Sequence, residues 1–306
     1  MTALPLEFAI LRTLLYADVF EFPLTTQEIH QFLIGVTATT AEVETALASS
    51  PLLAEILIEQ NGCWAPRQRA ESLALRRERE AISERLWGAA LRYGRGLAAL
   101  PFVRMVAITG ALSMRNATAA NDDLDYLIVT TPGRVWLTRL FAVILVRWAR
   151  LWGIRLCPNY VLAETALSQA RRDLYIAHEI AQMIPLSGMA LYTAMRHSNA
   201  WTVDYLPNAE APLYPLPDHT PQGVGRWLQW VGERIFGGAW GDRLERWEMR
   251  RKQRKFQDVL PAAPASAAQL DAEQVKGHFE DHGARILAAY EARLAAHMPT
   301  LDVTSG

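Results

Sequence analysis

An apolar run at residues 103–109 ends on Gly110-Ala111-Leu112-Ser113, and after an irregular stretch the chain resumes as Asp123-Leu124-Asp125 leading into Tyr126-Leu127-Ile128-Val129-Thr130. This passage constrains the fold more than any other. The β-branched and apolar content of both runs predicts two strands, and a helix starting near Ala111 would point its N-terminus at an anion bound in the turn. Side chains alternate across a strand, so Asp123 and Asp125 are expected on the same face. Two adjacent acids repel, and each is costly to bury unpaired. A divalent cation resolves that repulsion, and Mg²⁺ is commonly held by one or two carboxylates plus substrate phosphates. Gly110 lets backbone approach an anion closely, and Ser113 adds a hydroxyl. A phosphate cradle followed by a same-face acidic pair suits metal-assisted nucleotidyl transfer.

The rest of the chain sets the frame for that site. Its 306 residues are enough for about two domains, and 51% apolar against 21% charged residues exclude a largely disordered chain. A net charge of −1 gives no basic excess of the kind long nucleic acid requires. Cys63 and Cys157 are too few for a disulfide framework or a cysteine zinc site. Glu7, Arg12 and Asp18 interrupt any early apolar run, so no signal peptide is expected. Within the apolar residues 135–152, Arg139, Arg147 and Arg150 leave residues 140–146 as the longest uncharged run. That is short of the ~20 residues a span needs, so a buried helix, no membrane span and a cytoplasmic protein are expected.

Four segments are expected. In residues 1–66, Thr25 with Glu28 and Thr39 with Glu42 make two capping boxes, and Asn61-Gly62 sits between two short strands as a hairpin turn. Three helices and a hairpin are the order of a winged helix. Residues 1–64 nevertheless carry eight acids and the single cation Arg12. A duplex should be repelled, which favours packing or a protein partner over DNA. Residues 67–100 read as a charged linking helix, broken near Gly94 and Gly96, whose eight Arg could also wall a polyphosphate. Residues 101–203 hold the site described above. Residues 204–306 begin with a proline-rich strap and continue mainly helical; residues 226–256 read as helical, and their Trp227, Trp230, Trp240 and Trp247 are expected in packing. Residues 261–268 are Ala/Pro-rich and expected loose, and a last helix is expected over residues 284–295.

Other motifs are weaker. There is no Walker-type loop and no nucleophile elbow. His278 and His282 stand four apart without a compelling third ligand, and His178 reads as a hydrogen-bonded helical residue.

The turn Thr109-Gly110-Ala111-Leu112-Ser113 followed by Asp123-Leu124-Asp125 resembles the signature of the polymerase-β-like nucleotidyltransferase superfamily. The wider order, through residues 156–164 and 173–185, is similar to bacterial stand-alone nucleotidyltransferase-domain proteins. The resemblance implies donor phosphates on Gly110, Ala111 and Ser113, and metal on Asp123 and Asp125. Two positions depart from it: Ala111 replaces the usual Ser or Gly, and the later strand offers Asn159 in its body and Glu164 at its edge as the third acid. Glu164 is expected at the rim of the pocket, reachable if the strand ends or bulges before it.

The expected fold is α+β: a nucleotidyltransferase-type mixed sheet with flanking helices, after a winged-helix-like domain and before a helical region. The expected activity is Mg²⁺-dependent transfer of a nucleoside monophosphate, AMP from ATP, to a hydroxyl of an acceptor. The alternatives are a nucleotide-binding sensor or interaction protein that lost the third carboxylate, and a winged-helix transcriptional regulator.

Overall fold

The computed structural model describes residues 5–257, 269–276 and 282–303. It is an α+β protein with two sheets. Its N-terminal unit comprises α1 (Leu6–Asp18), β1 (Leu24–Thr25), α2 (Thr26–Gln31), α3 (Thr40–Ser49), α4 (Pro51–Ile56), β2 (Leu57–Gln60) and β3 (Cys63–Pro66). Both capping boxes form. The Thr25 and Thr39 hydroxyls accept from the Glu28 and Glu42 N–H groups, and each carboxylate accepts from its cap residue's N–H in return. Asn61 and Gly62 both take positive φ, 56° and 79°, as a two-residue hairpin requires, and β2 pairs antiparallel with β3 around them. The sheet order is β1-β3-β2.

α5 (Ser72–Ala98) runs unbroken through Gly94 and Gly96, against expectation. A Cβ on Gly94 would stand 2.3 Å from Leu186 Cδ1, so this glycine serves close packing of the helix on the sheet rather than a break. Two arginines of α5 are structural. Arg76, 3% exposed, grips Glu28, 2% exposed, while Arg79 donates to the Phe20 and Glu21 carbonyls and to Asn116. They clamp the N-terminal unit onto α5.

The second sheet is built from β4 (Val103–Ile108), the four-residue helix α6 (Gly110–Ser113), β5 (Leu124–Thr130), α7 (Val135–Arg150), β6 (Leu156–Ala163), α8 (Leu174–Ala181), β7 (Ile184–Ser187) and α9 (Met189–Ser198). After a proline-rich strap come α10 (Gly223–Phe236), α11 (Ala239–Gln257), β8 (Gln269–Leu270), β9 (Gln274–Lys276) and α12 (His282–Val303). The strand order is β7-β4-β5-β6-β9-β8, with β5 and β6 parallel and the other pairs antiparallel.

Alternation along the strands gives two apolar faces. Val106, Ile108, Tyr126, Ile128 and Val161 pack under α5 and α7, whereas Met105, Ala107, Leu127, Val129 and Leu162 pack under α8 and α9. The core of the N-terminal unit continues into Leu174, Ala177 and Ala181 of α8 and Tyr290 of α12. That unit therefore caps one end of the sheet.

Residues 226–256 are helical as expected, in two helices parted at Gly237-Gly238. Three expectations change. Trp227, Trp230, Trp240 and Trp247 are more than half exposed rather than packed. The C-terminal region also contributes β8 and β9 to the sheet. α7 is not buried all round, since Trp148 and Trp152 at its end are more than half exposed. His278 and residues 261–268 lie outside the described residues.

Candidate functional site

β4 carries the chain into the Gly110 turn directly beside Asp125. The Thr109 N–H donates to the Asp125 carbonyl at 3.0 Å, which ties the turn to β5 at that residue. Gly110 has φ +65°, and a Cβ there would lie 2.5 Å from Asp125 Oδ2. Both the backbone angle and the contact exclude a side chain. The turn's backbone thus rests against the carboxylate. On β5, Asp125 shares the parity of Leu127 and Val129, on the α8 side of the sheet.

Asn159 faces the same carboxylate. β6 bulges between Pro158 and Tyr160, so Asn159 has no partner in the parallel ladder. The extra residue re-aims its side chain, and Asn159 Nδ2 donates to Asp125 Oδ1 at 2.7 Å. Its Oδ1 accepts from the Cys157 thiol at 2.9 Å. Burial, then the charges of Asp125 and Asp123, push that thiol up to about 12, so it stays protonated and inert.

Burial, then the negative charges of Asp123 and Glu179, push the Asp125 carboxyl up to about 7. Asp123 lies at the entrance of β5, part exposed, with its Oδ1 2.9 Å from Arg155 Nε. Asp122 is spent on its own loop, accepting from the Thr118 N–H and hydroxyl and from the Asp123 N–H.

A cavity of about 350 Å³ opens where the N-terminal unit meets this end of the sheet. Gly110, Ala111, Asp125, Asn159 and Glu179 line one side, and Tyr16, Phe20, Phe22 and Phe32 form an aromatic wall opposite. Glu179 is the site residue that the sequence did not disclose. It projects from α8; burial raises its pKa, and Lys276 and the Tyr175 hydroxyl pull it back down. Its signal in the sequence is the i, i+4 pair Tyr175 and Glu179 on a helix that is otherwise apolar apart from His178. His178 has the structural part expected of it. Its ring stacks on Tyr16 at 3.9 Å and bonds the Leu174 carbonyl, and burial lowers its pKa to about 4, leaving it neutral.

Three expected members do not line the cavity, Asp123 at the entrance of β5, Glu164 and Ser113. Glu164 donates its N–H to the Thr130 carbonyl, at the far end of β5 and β6 from Asp125. Five residues of strand separate those ends, ~16 Å of rise. The strand does bulge, but the bulge serves Asn159. Ser113 is 1% exposed and donates its hydroxyl to the Gly110 carbonyl at 2.8 Å, so it locks the turn instead of facing the cavity.

Among the described residues, no group of three His, Cys, Asp or Glu side chains is placed to hold a metal alone. Mg²⁺ does not need three when phosphates complete its shell. Asp123 and Asp125 offer only hard oxygen donors, and their mutual repulsion is one of the causes of the high Asp125 pKa. That donor set fits the ion. In comparisons with protein-family models, curated proteins and solved structures, the chain matches none.

Proposed function

We propose that the protein is a metal-dependent nucleotidyltransferase that moves a nucleoside monophosphate, AMP from ATP, to a hydroxyl of a small acceptor. One observation carries this: a glycine turn that touches the carboxylate of Asp125 at the wall of a cavity. The order turn, acidic pair and third strand supports kinship with the polymerase-β-like superfamily. In this reading the opening N–H groups of Gly110 and Ala111 bind donor phosphate. Asp123 and Asp125 would hold Mg²⁺, which when bound supplies positive charge against the triphosphate. The acceptor hydroxyl attacks the α-phosphorus, the bond to the bridging oxygen of the β-phosphate breaks, and pyrophosphate leaves. Glu179, beside Asp125 and with a raised pKa, takes the hydroxyl proton.

The N-terminal unit, with its three-stranded sheet, supports a winged-helix-like reading. Its α3 presents exposed Glu42 and Glu44 and no Lys or Arg, so we assign the unit to walling the cavity rather than to DNA. A second reading, a nucleotide sensor without turnover, is favoured by Asn159 where the third carboxylate was expected and by Arg155 on Asp123.

Incubation with Mg·ATP and cell extract as acceptor source separates the two. The transferase releases pyrophosphate, stops when the metal is chelated, and loses release but not nucleotide binding in Glu179→Gln. Binding without pyrophosphate assigns the sensor, and no nucleotide binding removes both.

A further inference from the structure

The molecule leaves six of its ten tryptophans more than half exposed: Trp148, Trp152, Trp227, Trp230, Trp240 and Trp247. All six lie on or directly after α7, α10 and α11. Isolated exposed apolar residues are ordinary, but a concentration of this kind marks an interaction site.

α10 is amphipathic with its apolar side outward. Val224, Trp227, Leu228 and Ile235 recur at helical spacing and are 73%, 59%, 52% and 58% exposed. Gln229 and Glu233 face the body of the protein instead, while Arg226 and Arg234 are exposed: Gln229 Nε2 donates to the Val103 carbonyl at 2.8 Å, and Glu233 accepts from Arg104 at 2.6 Å and from the Phe102 N–H. The apolar surface continues onto the neighbouring helices. Phe236 lies 5.1 Å from Phe141 of α7 and 5.1 Å from Trp240 of α11, ring centre to ring centre. α7 then presents Ile144, Trp148, Leu151 and Trp152, again spaced as one helical stripe.

α11 adds charge. Arg243, Arg246, Arg250 and Arg254 are exposed on one stripe together with Trp247. Among the described residues, none of these four arginines forms an ion pair. Residues 223–257 hold nine cations and four acids, a net +5 in a chain whose total is −1. The acids are spent on internal partners. Glu245 accepts from the N–H groups of Trp136 and Leu137, Glu248 from Arg251, Glu233 from Arg104, and Asp242 pairs with Arg134. What faces outward is tryptophan, aliphatic side chains and arginine.

We propose that α7, α10 and α11 form a face that seats the protein on an anionic lipid bilayer, independently of the activity assigned above. Tryptophan settles at the headgroup level and arginine pairs with anionic headgroups, each cation adding severalfold to the affinity. No described helix is long and apolar enough to cross a membrane, so the helices lie along the surface. A protein interface depletes charge at its core, and a symmetric second copy would oppose like arginine stripes. Both fit this surface less well than anionic lipid.

Co-sedimentation of the full chain with vesicles of phosphatidylcholine, with or without phosphatidylserine, tests it. The expected result is binding at least ~10-fold tighter to the phosphatidylserine vesicles, weakened by salt, with a blue shift of tryptophan emission. The triple variant Trp227→Ser, Leu228→Ser, Ile235→Ser and the double variant Arg243→Glu, Arg250→Glu should each lose ~10-fold or more. Absence of wild-type binding to phosphatidylserine vesicles at low salt overturns the proposal. Equal binding to both vesicle types overturns it as well, whether or not the variants fold. A dimer in solution that the triple variant abolishes, without vesicle binding, assigns the face to a second copy.

Discussion

Asp125→Asn is expected to abolish the pyrophosphate release proposed above, by ~10³-fold or more, and at the same time to make the metal-free protein more stable at alkaline pH. The loss follows from position, because this carboxylate touches the Gly110 turn, accepts from Asn159 and lines the cavity. The gain follows from linkage. Burial and the charges of Asp123 and Glu179 raise the Asp125 pKa to about 7 from its ordinary 3.8. Between those values the folded protein holds a proton that the unfolded chain has released. The stabilisation is therefore complete at low pH and is lost as the pH rises through about 7. Asparagine does not ionise, so the variant's advantage is absent near pH 4 and grows to ~1 kcal/mol or more at pH 8. Urea unfolding with chelator at both ends of that range measures it. A variant that unfolds outright, or is less stable than wild type at pH 8, would make the aspartate structural.

The second large effect is on folding. Arg76→Ala should cost ~3–5 kcal/mol, since it strands a buried carboxylate without its counter-charge. Arg76 donates to both oxygens of Glu28, to the Pro23 carbonyl and to Glu80, and its guanidinium covers the Phe22 ring at 4.2 Å. Glu28 is also the N3 acid of a capping box and accepts from the Tyr214 hydroxyl of the strap. One side chain therefore joins the N-terminal unit, α5 and the strap. Adding Glu28→Gln should recover part of the loss, because the orphaned charge is gone. A urea midpoint for Arg76→Ala within error of wild type would contradict this.

These two sites differ in how far the sequence discloses them. Local signals read true: the Thr25 and Thr39 capping boxes, the Asn61-Gly62 hairpin and the strand 156–163 all form where the residues place them. Each depends on contacts within a few positions. The misreadings depend on distant partners. Gly94 looks like a helix break until Leu186 is packed against it. Asn159 and Glu164 compete for one role by strand parity, and only the register of β6 on β5, which sets Cys157 beside Asp125 and Glu164 at the far end, decides that Asn159 faces Asp125. Glu179 becomes a site residue because α8 lies over the sheet face that Asp125 shares. The tryptophans of α10 and α11 read as core because large apolar residues usually are, whereas here Gln229 and Glu233 hold the helix from its polar side.

The most direct measurement is a crystal structure of the full chain with Mg²⁺ and a non-hydrolysable ATP analogue. It should show triphosphate against the Gly110–Ala111 backbone and a metal ligated by Asp123 and Asp125, with Arg155 displaced from Asp123 or turned to phosphate. Glu179 should stand free of the metal at the cavity wall. Nucleotide bound away from the Gly110 turn, or no nucleotide bound at saturating concentration, would contradict the assignment of this site.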